Sequence, residues 1–281
     1  MYRSLIIGLV LGLTLAGTPL EDANKLFNRT DYQGALNVLL PLEAKDAKVW
    51  ALIGRSYFMS TDYKKAVEAF EKATTQEPRN SEYVHWLGRS WGRRAESAPP
   101  FMAPGYASKA RQYFERAVML DSGNKEALND LFDYYLEAPG FLGGGLHRAE
   151  ALVERIGSLD PAEGFYASAQ LAEKRKEFDK AEDALRRALQ LAPRQVGRVI
   201  DLAKYLSKHG KVQESEAAFE QAARLAPNDP KVLYERAQTY VRDNRNLAQA
   251  RDLLRKYLAS PLTPDDPPRS AAQELLRKAG A

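Results

Sequence analysis

Seven times along the chain a small residue is followed four positions later by an apolar one. The small residues are Ala35, Ala66, Ala110, Ala149, Ala181, Ser215 and Ala250, and their apolar followers are Leu39, Phe70, Phe114, Val153, Leu185, Phe219 and Leu254. Successive small residues are 31, 44, 39, 32, 34 and 35 positions apart. A period of that size argues for a stack of similar units, each burying its face only against its neighbours. At 281 residues the length alone suggests about two ordinary domains. The repeat overrides that prior.

Residues 47–80 show what one unit is made of. Trp50, Ile53, Gly54 and Tyr57 fall at i, i+3, i+4 and i+7, one face of a helix. Ala66, Phe70 and Ala73 mark one face of a second helix, with polar Thr61-Asp62 between the two. Pro78 stops the second helix, because proline lacks an N–H and disfavours helix before it. Pro161, Pro193 and Pro227 are placed to do the same in later units. Gly54, Ala66 and Ala73 are small where the partner helix crosses; Tyr57 and Phe70 fill the space between. This pattern, W-x2-L-G-x2-Y, then A-x3-F, then P, resembles the tetratricopeptide repeat, with Ile53 in place of leucine. The resemblance covers about residues 18–262. It implies an all-α, right-handed superhelix (an α-solenoid) of about seven helix pairs, with the first helices lining a concave groove that binds a peptide or protein segment. Arg269 to Ala279, after the proline-rich stretch Pro264 to Pro268, reads as an amphipathic helix capping the last unit.

The first residues read as an address. Met1-Tyr2-Arg3 is a short basic start, Ser4 to Ala16 is apolar and uncharged, and Thr14-Leu15-Ala16 is a cleavage candidate. Thirteen helical residues reach roughly 20 Å, short of a ~30 Å hydrocarbon core, so a signal peptide is favoured over an anchor. The expected organisation is a signal peptide over 1–17, a solenoid over 18–262 and a turn with a capping helix over 263–281. Residence is expected in the periplasm or another extracytoplasmic compartment, with no membrane span in the mature chain.

Two adjacent units break the period. The third carries ten extra residues around 95–108 and the fourth five around 138–146. Both replace the turn between paired helices, so both are expected to project from one edge. They contain Phe101, Met102 and Tyr106 in one and Phe141 and Leu142 in the other. Two readings stand: the inserts pack as a local mini-core, or they form a lip that touches ligand. The run APGFLGGGL is similar to a segment of exported bacterial tetratricopeptide proteins. Its three glycines are not followed by Lys-Ser/Thr, which excludes a phosphate loop.

The repeat frame also names groove-facing residues. Unit three puts Val84, Leu87, Gly88 and Trp91 on the core face and His85, Trp86, Arg89 and Arg93 on the other. Unit four answers with Glu126, Asp130, Asp133 and Glu137. Laying the helices side by side predicts Arg89 opposite Asp133 and Arg93 opposite Glu137. Either these arginines are spent on inter-repeat ion pairs, or their forked guanidinium groups meet a ligand carboxylate. The lysine and asparagine set by which some tetratricopeptide proteins clamp a chaperone C-terminus is absent: Ala51 and Arg55, then His85 and Arg89, stand there.

Composition narrows the chemistry. With no cysteine there is no disulfide, thiolate metal site or cysteine nucleophile. Lys and Arg total 41 against 37 acids, a mild and mixed excess. The basic tract Arg194, Arg198, Lys204, Lys208 and Lys211 reads as a solvated helical face, and no nucleic-acid partner is expected. His85, His147 and His209 fall in different units without ligand partners at metal spacing, and no nucleophile elbow is present. Neither cofactor, metal nor enzymatic activity is expected. The function expected is a non-catalytic scaffold or adaptor of the cell envelope, binding another envelope protein or peptide. Arg55, Phe58, His85, Trp86, Arg89, Arg93 and Asp133 would hold it, with Phe101 and Phe141 at the lip. The alternative is a glycan-associated protein of cell-wall or exopolysaccharide machinery, with Trp86, Tyr166 and Tyr234 stacking on sugars.

Overall fold

Short polar residues start the helices. Asp31, Asp46, Asp62, Asn80, Asn124, Asp160 and Asp229 each sit at an N-cap and accept from a backbone N–H of the first turn. Such caps satisfy amides that have no partner within the helix. The computed structural model describes residues 17–280. The proposed signal peptide over 1–17 lies, all but Gly17, outside the described residues.

Fifteen α-helices and no strand occur among the described residues. They form seven antiparallel pairs: α1 (Pro19–Asn28) with α2 (Tyr32–Leu39), α3 (Ala47–Met59) with α4 (Tyr63–Gln76), and α5 (Ser81–Glu96) with α6 (Ala103–Leu120). Next come α7 (Lys125–Glu137) with α8 (Leu146–Leu159), and α9 (Pro161–Lys174) with α10 (Phe178–Leu191). The last are α11 (Val196–Lys208) with α12 (Val212–Leu225), and α13 (Pro230–Arg242) with α14 (Leu247–Ala259). Helix α15 (Arg269–Lys278) packs on α13 and α14 as the expected cap.

The marker residues lie where the period put them. Ala35, Ala66, Ala110, Ala149, Ala181, Ser215 and Ala250 are all buried at the crossings. A Cβ on Gly54 would come within 2.7 Å of the Phe70 ring, and one on Gly88 within 2.8 Å of the Phe114 ring. These glycines let the paired helices close on the aromatic ring between them. Pro161, Pro193 and Pro227 each stand two residues past a helix end, and Pro161 is also the first residue of α9, where a missing N–H leaves nothing unpaired.

The first insert is not a projecting loop. Helix α5 runs on to Glu96 and α6 starts at Ala103, so only residues 97–102 are non-helical. The extra residues lengthen α5 to 16 residues and α6 to 18. Pro104 sits in the first turn of α6, where proline is tolerated. Tyr106 folds back onto Trp91, and Arg94 lies over both rings and donates to the Tyr106 hydroxyl (3.1 Å). The second insert is a loop with one 3-10 turn, Gly140–Leu142, whose Leu142 carbonyl accepts from the Tyr134 hydroxyl (2.9 Å).

Accumulated twist brings the two ends of the array together. Leu262, Thr263, Asp266 and Pro267, beyond the seventh pair, line a small cavity with Thr30, Tyr32 and Met59 of the first two pairs. The turn is braced on its own side: Tyr257 donates to the Pro267 carbonyl, and Arg269 donates to the carbonyls of Leu258 and Ser260.

Candidate functional site

The first helices of successive pairs form the inner wall. On α3, α5 and α7 this wall carries two clefts that share Arg89. The larger, about 850 Å³, lies at the start of α5 and α7 and is bounded by Arg55, Arg79, His85, Trp86 and Asn124. The smaller, about 450 Å³, lies at their far ends, with Phe58, Phe114, Tyr134 and Leu142 giving it an apolar base. Ala95 and Ala107 reach it from the first insert, Ala138, Pro139 and Leu142 from the second. The two inserts therefore flank one cleft. Phe101 and Phe141 do not: they are 83% and 80% exposed and line neither cleft.

Trp86 is the hinge of the wall. It is half-buried, stacks on Phe70 at 5.9 Å and meets Phe58 edge-on at 5.2 Å. The guanidinium groups of Arg89 and Arg55 lie 4.4 Å and 5.5 Å from its centre. Phe58, Trp86, Arg55 and Arg89 are thus one assembled cluster, as the repeat frame predicts.

Three predicted placements differ. His85 is not on an open face: it is 3% exposed, lies beside Phe114, and its Nε2 donates to Asp130 Oδ2 at 2.7 Å. Arg89 pairs with the same Asp130 (3.5 Å) rather than with Asp133. A helical side chain leans toward the helix N-terminus, and arginine is long, so Arg89 reaches a turn back to the level of His85. Arg93 does not meet Glu137; it pairs with Glu96 on its own helix and donates to the Tyr63 hydroxyl (3.2 Å). Glu137 instead takes Lys174 from α9 (2.5 Å).

Asp133 is left with no ion-pair or hydrogen-bond partner among the described residues. It is exposed and lines neither cleft, yet the surrounding chain withdraws part of its solvation. That desolvation, reinforced by Asp130, Glu137 and Glu163, pushes its carboxyl up to about 6. Asp201 on α11 is pushed up to about 6, also chiefly by burial. Four of the five members of the basic tract are paired with acids of adjoining elements: Arg198 with Glu163, Lys204 with Glu235, Lys208 with Glu173 and Lys211 with Glu182. Where such a pair is exposed, as at Lys208, it contributes only ~0–1 kcal/mol and sets local charge rather than holding the stack.

The aromatic track of the glycan alternative is not assembled. Tyr234 is 6% exposed and packed against Tyr257 in the C-terminal core, and Tyr166 lies under the Arg198 guanidinium. Among the described residues no three His, Asp or Glu side chains gather as metal ligands, and no helix is long and apolar enough to cross a membrane. Sequence reasoning missed Arg79, Asn124 and Asp265 in the larger cleft and Phe114 and Tyr134 in the smaller. Tyr134, four residues after Asp130 on the same face, was recoverable from spacing alone.

A stack of helix pairs with a concave inner wall defines an α-solenoid. Three tetratricopeptide repeat models match the sequence, over residues 47–80, 162–195 and 200–267, so these stretches are tetratricopeptide repeats. Solved structures agree on the fold. A tetratricopeptide repeat protein from Parabacteroides merdae superposes with a TM-score of 0.60 at 14% identity, covering 94% of this chain and 98% of its own. A thermophilic protein of the same family from Thermus thermophilus gives 0.54 at 20% identity, covering 67% of this chain and 97% of its own. A chain of the APC/C hetero-tetramer Cut9–Hcn1 gives 0.51 at 17% identity, covering 94% of this chain and 49% of its own. No curated protein matches the sequence.

Proposed function

We propose that the protein is a non-catalytic scaffold that holds an extended segment of another protein along the inner wall of α3, α5 and α7, in an extracytoplasmic compartment. The observation that carries this reading is the continuity of the two clefts through Arg89. One cleft offers cationic and aromatic groups, Arg55 among them without an ion-pair partner among the described residues, and the next an apolar base between the two inserts. A segment crossing both would set an acidic side chain by Arg55 and Arg89 and an apolar one between Phe58 and Tyr134. Asp133, next in the chain to Tyr134 of the second cleft, would accept from a basic group. The localisation rests on the basic, then apolar start of the sequence.

The test is capture of a partner by the immobilised chain from Thr18 onward, with bound proteins identified by mass spectrometry. A partner retained by the native chain and lost with Arg89→Glu, in a variant with unchanged helical circular dichroism, supports the groove. A partner bound equally well by that variant removes the groove from the account.

A further inference from the structure

The two most exposed aromatic side chains among the described residues sit one in each insert, and the groove uses neither. They are Phe101 and Phe141, with Met102 half-exposed beside the first. Both inserts join the first helix of a pair to the second, in neighbouring pairs, so both lie on one edge of the stack. They are also in contact with common structure. Ala107 and Leu142 line one cleft, and a Cβ on Gly143 would fall 2.9 Å from Arg111 Nε of α6. Apolar side chains gathered at such an edge add nothing to the core and mark a surface that is covered in use.

The charge on this edge is positive. Lys64 near the start of α4, Lys109 in α6 and Arg148 near the start of α8 are exposed, and none forms an ion pair among the described residues. Lys109 lies over the Trp91 ring (4.0 Å) and Arg148 over the Tyr135 ring (5.6 Å), contacts that leave the charge uncancelled. The acids nearby are taken: Asp62 by Lys65, Glu96 by Arg93, Glu115 by Arg111, Glu137 by Lys174 and Glu150 by Arg175. The second helices begin at this edge, and a helical side chain leans toward the helix N-terminus, so all three cations lean toward the edge. Helices α6 and α8 start without a side-chain cap and without an acid in the first turn. The positive ends of their dipoles add to the same field.

A second copy of the chain fits this edge poorly. A two-fold contact sets a patch against itself, so Lys64, Lys109 and Arg148 would face like charges. A bilayer with anionic headgroups answers both features at once, since apolar rings enter its interface while cations stay at headgroup level. We infer that this edge docks on an anionic membrane surface, with Phe101 and Phe141 entering the interface and Lys64, Lys109 and Arg148 meeting headgroup phosphates. The inference goes beyond the groove reading and does not depend on it. Docking here would hold the second cleft, lined by Ala138 and Pro139 of the same insert, beside the bilayer.

The test is co-sedimentation with vesicles of the chain from Thr18, which keeps all fifteen helices and lacks the apolar start. Vesicles of equal parts phosphatidylglycerol and phosphatidylcholine should retain it. Phe101→Ser with Phe141→Ser should weaken that binding about tenfold with helical circular dichroism unchanged, since neither ring is buried. Lys109→Gln with Arg148→Gln should weaken it about twentyfold, each cation near an anionic surface counting for about fivefold. Pure phosphatidylcholine should bind the native chain and this second variant equally weakly. Because the chain has no cysteine, a single environment-sensitive dye can mark one site. On Phe141→Cys it should shift to the blue with the mixed vesicles; on Leu191→Cys, exposed at the far end of α10, it should not. No retention of the native chain, equal retention of the phenylalanine variant, or equal shifts at the two dye positions overturns the inference. Equal retention on both vesicle types overturns the role of the headgroups. A shift on Phe141→Cys that grows with protein concentration in the absence of vesicles gives the edge to a second copy instead. Partner capture is a separate readout, so this inference and the groove reading fall independently.

Discussion

Asp133 gives the inner wall a pH dependence whose direction can be worked out. Its carboxyl ionises near 3.8 when unhindered and at about 6 in the folded chain. The fold therefore binds this proton more tightly than the unfolded chain does, and stability falls as pH rises from about 4 through about 6. Asp201, shifted the same way, adds to the slope. Removing the charge should reveal the penalty. Asp133→Asn should leave urea midpoints unchanged at pH 4 and raise stability at pH 8 by about 1 kcal/mol, solvent at the groove having screened part of the shift. Equal gains at both pH values would show that the carboxylate carries no such penalty. At this scale the sequence was informative about which residues gather and poor about which touch. The repeat frame collects Arg55, Phe58, Trp86 and Arg89 because it fixes the face each occupies. It assigns Arg89 the wrong acid because a pairing depends on side-chain lean and length, which position along a helix does not express. His85 was misplaced for a related reason: its neighbours across the pair, Phe114 above all, bury it.

Helices α8 and α9 touch backbone to backbone. A Cβ on Gly164 would fall 2.4 Å from the Gly157 Cα, and no side-chain rotation relieves that clash. Gly164→Ala should therefore force the two helices apart and lower stability by about 1–3 kcal/mol, the usual cost of overpacking. Gly92 is the control within an element. Its added methyl would meet only Ala110, at 3.8 Å, so Gly92→Ala should stabilise by about 0.5–1 kcal/mol as an ordinary helix-interior gain. Thermal melts of the two variants should move in opposite directions. If both fall, the space beside Gly92 is not what it is taken to be. The helices themselves were largely legible, because the small-then-apolar step recurs in every unit. The first insert was not. Prolines 99, 100 and 104 read as loop, yet only the first two lie outside a helix, and proline in a first turn is compatible with α6. Local composition could not separate a long loop from two lengthened helices that zip together through Trp91, Arg94 and Tyr106.

For the molecule as a whole, the meeting of its ends decides how it frays. An open stack loosens from each terminus independently, since every unit contacts only its neighbours. Here the turn after α14 covers both Tyr257 behind it and Tyr32 and Met59 across from it. Ending the chain at Leu262 should thus raise amide exchange in α13 and α14 and also in α1 and α2, with α7 to α10 unchanged. Faster exchange confined to the C-terminal pair would mean that the ends do not support each other. The cap was readable from its amphipathic spacing and the prolines before it. The contact across the ends was not, because it is the sum of small rotations over seven pairs and no local pattern records that sum. A superhelix that closes on its own beginning has also fixed its copy number. Duplicating one 34-residue unit, the easiest way for such arrays to grow, would carry the exit past Tyr32 and strand the turn in water. Change in this protein is then channelled into substitutions and inserts within units, as at 95–108 and 138–146, and away from lengthening the array.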